Sequence, residues 1–181
     1  GRGSNMLQLA AHAGPESGFE IVLVAANKAC DGLALAEKRG LSTELVSRAD
    51  FASRQHQEVA LGDAILASGA EIICLAGYMA ILSPAFIDRF AGRIINIHPS
   101  LLPAYKGLNT HARVLADGGK EHGCSVHYMR AEMDDGPIIV QKRVPVFGED
   151  TPDTLAARVL KQEYVAYSEA IDIVIENLDK S

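Results

Sequence analysis

The chain lacks most of the features that would assign it to a special class. Its 181 residues hold three cysteines, Cys30, Cys74 and Cys124, far apart and without C-x-x-C spacing. That excludes a disulfide framework and a cysteine zinc site, and it fits a reducing cytoplasm. No block of basic residues interrupts a formal charge of −6, so a broad nucleic-acid footprint is excluded. No apolar run is long enough to cross a membrane, and no secretory signal is visible. Internal repeats, low-complexity tracts and linkers are absent too. What remains is an ordinary soluble composition, 48% hydrophobic, of a length that suits one domain with a sizeable core.

Apolar runs alternate with amphipathic ones. "SNMLQLAAHA" predicts a helix with Ser4 or Asn5 as its N-cap. "FEIVLVAAN" predicts a strand, "DGLALAEKRG" a helix ending at Gly40, and "STELVS" a short strand. Residues 51–69 read as a helix whose first residues, "FASRQH", can also form a loop. "EIICLAGY" and "RIINIH" read as buried strands, with a helix "SPAFIDRF" between them, Ser83 preceding Pro84. A loop and helix around "NTHARVLADGG" follow. "GCSVHYMR" and "PIIVQKRVPVF" alternate like strands exposed on one face, and a long helix covers about residues 152–176. This order predicts an α/β fold, Rossmann-like, with a mostly parallel central sheet, helices on both faces and a C-terminal mixed-sheet extension. Such folds bind ligands beyond the carboxyl ends of their strands.

The stretch "RIINIHPSLLP" carries two polar groups to the end of an apolar strand. Alternation puts Asn96 and His98 on one face and Ile95 and Ile97 on the other. They read either as satisfied polar groups at a strand terminus or as a pair that holds an oxygen gaining negative charge. Pro99 stops the strand. "EMDDGPII" reads as a turn, or as a carboxylate held near His98 that favours the imidazolium. "GRGSN" reads as a loop or as a phosphate site before a helix. His111, His122 and His127 have no metal spacing and read as structural or supporting groups, His127 as a core histidine. Cys74 and Cys124 read as small core residues.

Together "GRGSN", "AGYMAILSPAF", "INIHPSLLPAYKGLNTH", "HGCSVHYM", "MDDGPIIVQKRVPV" and "KQEYVAY" resemble the folate-dependent formyltransferases, in order along nearly the whole chain. The "GLNTH" and "VPV" contexts resemble the branch acting on glycinamide ribonucleotide. The resemblance implies transfer of a formyl group from 10-formyltetrahydrofolate, a co-substrate, to the ribonucleotide amine in de novo purine biosynthesis, with no metal. It implies catalytic roles for Asn96, His98 and Asp134. It assigns Gly3, Ser4, Asn5, Pro99 and Glu163 to the ribonucleotide. It assigns Arg54, Met79, Ala80, Ile81, Leu82, Asn96, Arg130, Ala131, Glu132, Met133 and Asp134 to the folate. Ala80 stands where relatives often carry a basic residue, which predicts a weaker grip on the folate glutamate tail.

The implied partners are these small molecules, with no nucleic acid and no membrane, in a cytoplasmic monomer or homodimer. The family carries a strand before its glycine loop that has no counterpart before Gly1, so a single formyltransferase domain cropped at its start is expected. The competing readings are a formyltetrahydrofolate hydrolase, using water in place of the amine, and a non-catalytic folate- or nucleotide-binding module. A methionyl-transfer-RNA formyltransferase would need a further C-terminal domain and a more basic surface.

Overall fold

The computed structural model describes residues 2–132 and 134–178. Two compact units make up the chain, Gly1–Ile94 and Ile95–Ser181.

In the first unit α1 (Ser4–His12) starts after Gly3, whose backbone is left-handed at φ 76° and ψ 13°. The expected cap at Ser4 or Asn5 is therefore corrected: Gly3 holds the cap position and no side chain bonds there. A Cβ on Gly3 would lie 2.6 Å from the Cα of Gly32, so only glycine fits at this turn. β1 (Val24–Ala26) pairs in parallel with β2 (Thr43–Leu45), Val24 opposite Thr43. The strand expected from Phe19 shortens to three residues because ladder bonds form only where β2 runs alongside. Between them α2 (Asp31–Lys38) ends ahead of Gly40, which takes a left-handed φ of 74°. α3 (Arg54–Ala67) begins after Ser53, whose hydroxyl oxygen accepts from the His56 N–H. The residues from Phe51 to Ser53 stay outside that helix.

β3 (Ile73–Leu75) precedes α4 (Pro84–Arg89), which Ser83 caps by accepting from the Phe86 N–H at 3.2 Å. Proline in the first turn loses no intrahelical bond, which is why the Ser-Pro pair was readable from sequence. The Ile73 N–H donates to the Arg93 carbonyl oxygen at 2.8 Å, so the chain entering the next strand lies beside β3.

That strand is β4 (Ile94–His98). In the second unit it pairs antiparallel with β5 (Glu121–Tyr128), which pairs antiparallel with β6 (Ile138–Pro145). α5 (Thr110–Ala116) lies between β4 and β5 in sequence, and α6 (Pro152–Leu178) packs on β5 and β6. α6 buries Leu155, Val159, Tyr167 and Ile171 on its inner stripe. Each such side chain contributes about 1.5–3 kcal/mol. The Tyr167 hydroxyl also donates to the Ile95 carbonyl oxygen at 3.3 Å.

β5 corrects the expectation of a strand exposed on one face, since His122 to His127 are all buried. α6 lies across one face and the segment Ser100–Leu102 across the other, where Ser125 bonds to it, so both faces are covered. Cys124 is part of this core, where burial, with the Glu163 charge adding to it, pushes its thiol up to about 12. The class is the α/β, Rossmann-like one expected, with a parallel pair and helices followed by an antiparallel extension. Among the described residues no helix is long and apolar enough to cross a membrane.

Candidate active site

Asn96 and His98 stand on β4, two residues apart, and β5 supplies the groups opposite them. Register pairs Asn96 with His127 and His98 with Ser125. Asn96 Nδ2 lies 3.4 Å from His127 Nε2, and His127 Nδ1 lies 2.9 Å from the Tyr128 carbonyl oxygen. A carbonyl can only accept, so His127 Nδ1 carries the proton and donates it there. Its Nε2 then accepts from the Asn96 amide. Burial pushes the His127 pKa down, and the Tyr128 carbonyl and Asp134 offset that only in part, so the ring is held neutral. His127 is thus the core histidine expected, fully buried, and also the partner that fixes which way Asn96 points.

Asp134 reaches the same place from the loop between β5 and β6. Its Oδ2 accepts from the Gly107 N–H at 2.9 Å and lies 3.5 Å from His98 Nδ1, while Oδ1 lies 3.8 Å from His127 Nε2. Asp134 adopts a left-handed φ of 50°, a conformation aspartate tolerates better than most residues. Two residues on, a Cβ at Gly136 would lie 1.6 Å from the Tyr128 carbonyl oxygen. Glycine in this Asp-x-Gly therefore lets the returning chain pass that carbonyl, which stays available to His127. Asp135 faces outward and forms an ion pair with Lys106.

The segment after β4 closes over His98. His98 Nε2 lies 3.0 Å from the carbonyl oxygen of Tyr105, a residue with a left-handed φ of 55°. Both ring nitrogens thus face oxygens, an arrangement suited to a ring that donates from each. Beneath this segment Ser125 Oγ donates to the Ser100 carbonyl oxygen and accepts from the Leu102 N–H and from Gln141 Nε2. Thr110 Oγ1 donates to the Pro99 carbonyl oxygen at 2.7 Å, tying α5 to the end of β4. His111 Nδ1 and His122 Nε2 meet at 3.0 Å, one ring edge-on to the other. Burial first, then the charges of His111 and His98, bring His122 down to about 4. These two histidines support the segment structurally.

The remaining expected residues divide between the units. Glu163 is half-buried on α6. Arg130, Ala131 and Glu132 are exposed in the loop before Asp134, and Met133 lies outside the described residues. In the first unit Gly3, Ser4 and Asn5 form the turn into α1 and its first turn, with Gly3 against Gly32. Arg54 opens α3. Met79 and Ile81 are exposed at 74% and 65%, Ala80 is exposed, and Leu82 is buried. Among the described residues no group of histidine, cysteine and carboxylate side chains could hold a metal ion. Sequence reasoning missed two groups: the link from His127 to Asn96, and a buried carboxylate, Glu58, beside Arg54.

Chemically, the cluster offers a neutral amide with two N–H donors, an imidazole and a carboxylate beside it. These groups can hold an oxygen that becomes negative and move a proton nearby.

The family model described as formyl transferase matches residues 1–171. The chain is 41% identical over 170 residues to a phosphoribosylglycinamide formyltransferase of Haemophilus influenzae, covering 92% of this chain and 80% of that protein. It is 42% identical over 156 residues to a trifunctional purine biosynthetic protein adenosine-3 of Chironomus tentans, covering 86% of this chain but 11% of that much longer protein. A crystal structure of a phosphoribosylglycinamide formyltransferase from Brucella melitensis superposes with a TM-score of 0.91 at 49% identity, covering 95% of this chain and 90% of that one.

Proposed function

The chain belongs to the formyl transferase family, and from that premise we propose that this formyltransferase passes the formyl group of 10-formyltetrahydrofolate to the amine of glycinamide ribonucleotide in de novo purine biosynthesis. The observation that carries the reading is the convergence of Asn96, His98 and Asp134 on one spot at the carboxyl end of β4.

In this reading the amine nitrogen adds to the formyl carbon, and the carbonyl oxygen gains negative charge. The Asn96 amide has one hydrogen directed at His127 and a second for that oxygen. The His98 Nε2–H, now turned to the Tyr105 carbonyl, is the second donor once the substrate oxygen takes the carbonyl's place. Asp134 holds the other side of the ring and supports its positive charge. The bond from the formyl carbon to the folate nitrogen then breaks. The proton lost by the amine ends on that nitrogen, with Asp134 serving as the way station. Holding two substrates together contributes about 7–11 kcal/mol in favourable cases.

The family resemblance extends the reading to binding. Gly3, Ser4 and Asn5 take the ribonucleotide phosphate at the amino end of α1, where the helix dipole favours negative charge. Pro99 and Glu163 flank the ribonucleotide. Arg54 and Met79–Leu82 contact the folate in the first unit, and Arg130–Glu132 and Asp134 in the second.

The test is to mix the protein with 10-formyltetrahydrofolate, with and without glycinamide ribonucleotide, and follow tetrahydrofolate release. Release that requires the ribonucleotide, with formylated product, is the expected result. Release without it would replace the reading with hydrolysis. Binding of both ligands with no release would replace it with a binding module.

A further inference from the structure

The chain itself occupies its catalytic cluster. The Tyr105 carbonyl oxygen lies 3.0 Å from His98 Nε2, and the Gly107 N–H donates to Asp134 Oδ2 at 2.9 Å. These groups lie on one short segment and copy what the reaction would bring. One is an oxygen that accepts from the imidazole, and the other an N–H that donates to the carboxylate. A bond to a carboxylate is charge-assisted and stronger than a neutral one. While both contacts last, the place of the formyl oxygen beside His98 is taken.

The segment does not hold this shape by preference. Tyr105 and Asn109 sit in the left-handed region at φ 55° and 57°, which is unfavourable for residues that carry a Cβ. Such a backbone persists where its surroundings fix it. From α5, Arg113 Nη1 donates to the Lys106 carbonyl oxygen at 2.7 Å, and its guanidinium lies 5.4 Å from the centre of the Tyr105 ring. On the other side the Lys106 ammonium, carried between the two capping groups, forms an ion pair with Asp135 in the loop that bears Asp134. Both side chains of that pair stand partly in solvent, at 35% and 54% exposure.

We infer that Lys106 and Asp135 are positioning residues: their ion pair latches the Tyr105–Gly107 segment onto His98 and Asp134 as a stand-in for the reactants, so that the formyl donor binds by displacing it. The inference rests on the formyl-transfer reading above and adds to it a competitor built from the site's own backbone. A site that is open for only a fraction of the time has its apparent affinity lowered by that fraction. The latch therefore sets donor KM and leaves the transfer step, reached only once the segment has moved, nearly unchanged. Breaking it should tighten donor binding, which loss of a merely structural ion pair would not do.

The experiment measures donor KM and kcat with 10-formyltetrahydrofolate at saturating ribonucleotide. Lys106→Gln and Asp135→Asn should each lower donor KM about threefold, the scale of one exposed ion pair, with kcat within about twofold of wild type. Direct attraction or repulsion of an anionic donor would instead move the two variants in opposite directions. The double variant Lys106→Gln/Asp135→Asn should go no further than either single change, because both remove one interaction. The exchange Lys106→Asp/Asp135→Lys rebuilds the pair with its charges reversed and should return KM to the wild-type value. Thermal melting checks that each protein is folded; if one single variant is not, the other and the exchange carry the test.

A donor KM that rises or stays put in Lys106→Gln overturns the inference while formyl transfer stands, as does an exchange that fails to restore it. A wild type that transfers no formyl group overturns the underlying reading, and this inference with it.

Discussion

Two carboxylates, Glu58 buried and Asp134 nearly so, tie segments together, one in each unit, and they differ in the partner each one faces. Asp134 accepts from the Gly107 backbone N–H and faces His98; Glu58 accepts from the Ser83 backbone N–H and faces Arg54. The plan is the same: each carboxylate joins a backbone amide on one segment to a basic side chain on another. The basic side chains differ. His98 is a buried imidazole, whose ring nitrogens can donate or accept, whereas Arg54 is a half-exposed guanidinium, which only donates. A ring that can pass a proton suits an atom whose charge changes during reaction. A donor-only fork suits a structural pairing. The backbones match these roles, with Asp134 in a left-handed loop conformation and Glu58 within a regular helix.

The largest effects should follow from removing the imidazole partner. His98→Asn should lower kcat about 1,000-fold with ribonucleotide affinity retained, as seen by steady-state kinetics beside calorimetric titration. Asp134→Asn still accepts from Gly107 but loses its charge, and should lower kcat about 100-fold. If either change moved KM and left kcat alone, the catalytic reading of this cluster would collapse.

Next in size is Gly136→Ala. A methyl group 1.6 Å from a backbone carbonyl oxygen cannot be accommodated without moving the Asp134 loop. The expected loss is about 3 kcal/mol in urea unfolding. A variant of unchanged stability would mean that this loop does not depend on the close approach.

Part of this arrangement was legible in the sequence, and locality decides which part. Ser83–Pro84 follows a rule set by adjacent residues, and the polar end of β4 follows from strand alternation. The pairing of His127 with Asn96 depends on antiparallel register across 31 residues of chain, which no local pattern encodes. Glu58 reads as an ordinary surface charge because its burial depends on Ser83, 25 residues away. Gly3 displaced the expected Ser4 or Asn5 cap because of the distant Gly32. In β5 the small residues Gly123, Cys124 and Ser125 carry little hydrophobic signal, so its burial on both faces was hidden.

The contrast also predicts which unit feels acid first. His122 titrates at about 4 when folded, against an ordinary 6.5, so the unfolded chain takes up this proton more readily. Its contribution is full above pH 6.5 and is lost as pH falls toward 4, on the order of 2 kcal/mol. Glu58 has a lowered pKa as well, but from 4.5, so its contribution is lost only below that value. Urea midpoints measured from pH 7.5 to 4.5 should therefore fall for wild type and fall less for His122→Gln. Equal slopes would remove the histidine pair as the cause.

The smallest effect tests how Asn96 is aimed. His127 is neutral and its Nε2 accepts from the Asn96 amide, so its role needs an acceptor at that point and not a charge. His127→Leu offers none and should lower kcat about tenfold, because a misdirected amide forfeits part of one oxyanion bond. His127→Gln places a carbonyl oxygen near the same spot and should recover most of that loss. KM for both substrates should change little in either variant. Recovery by glutamine would separate aiming from packing, since leucine fills the space at least as well. Equal damage from both would instead mean that His127 contributes through the shape of its ring. Asn96 would then take its orientation from β4 itself, and the chemistry of this unit would rest on His98 and Asp134 alone.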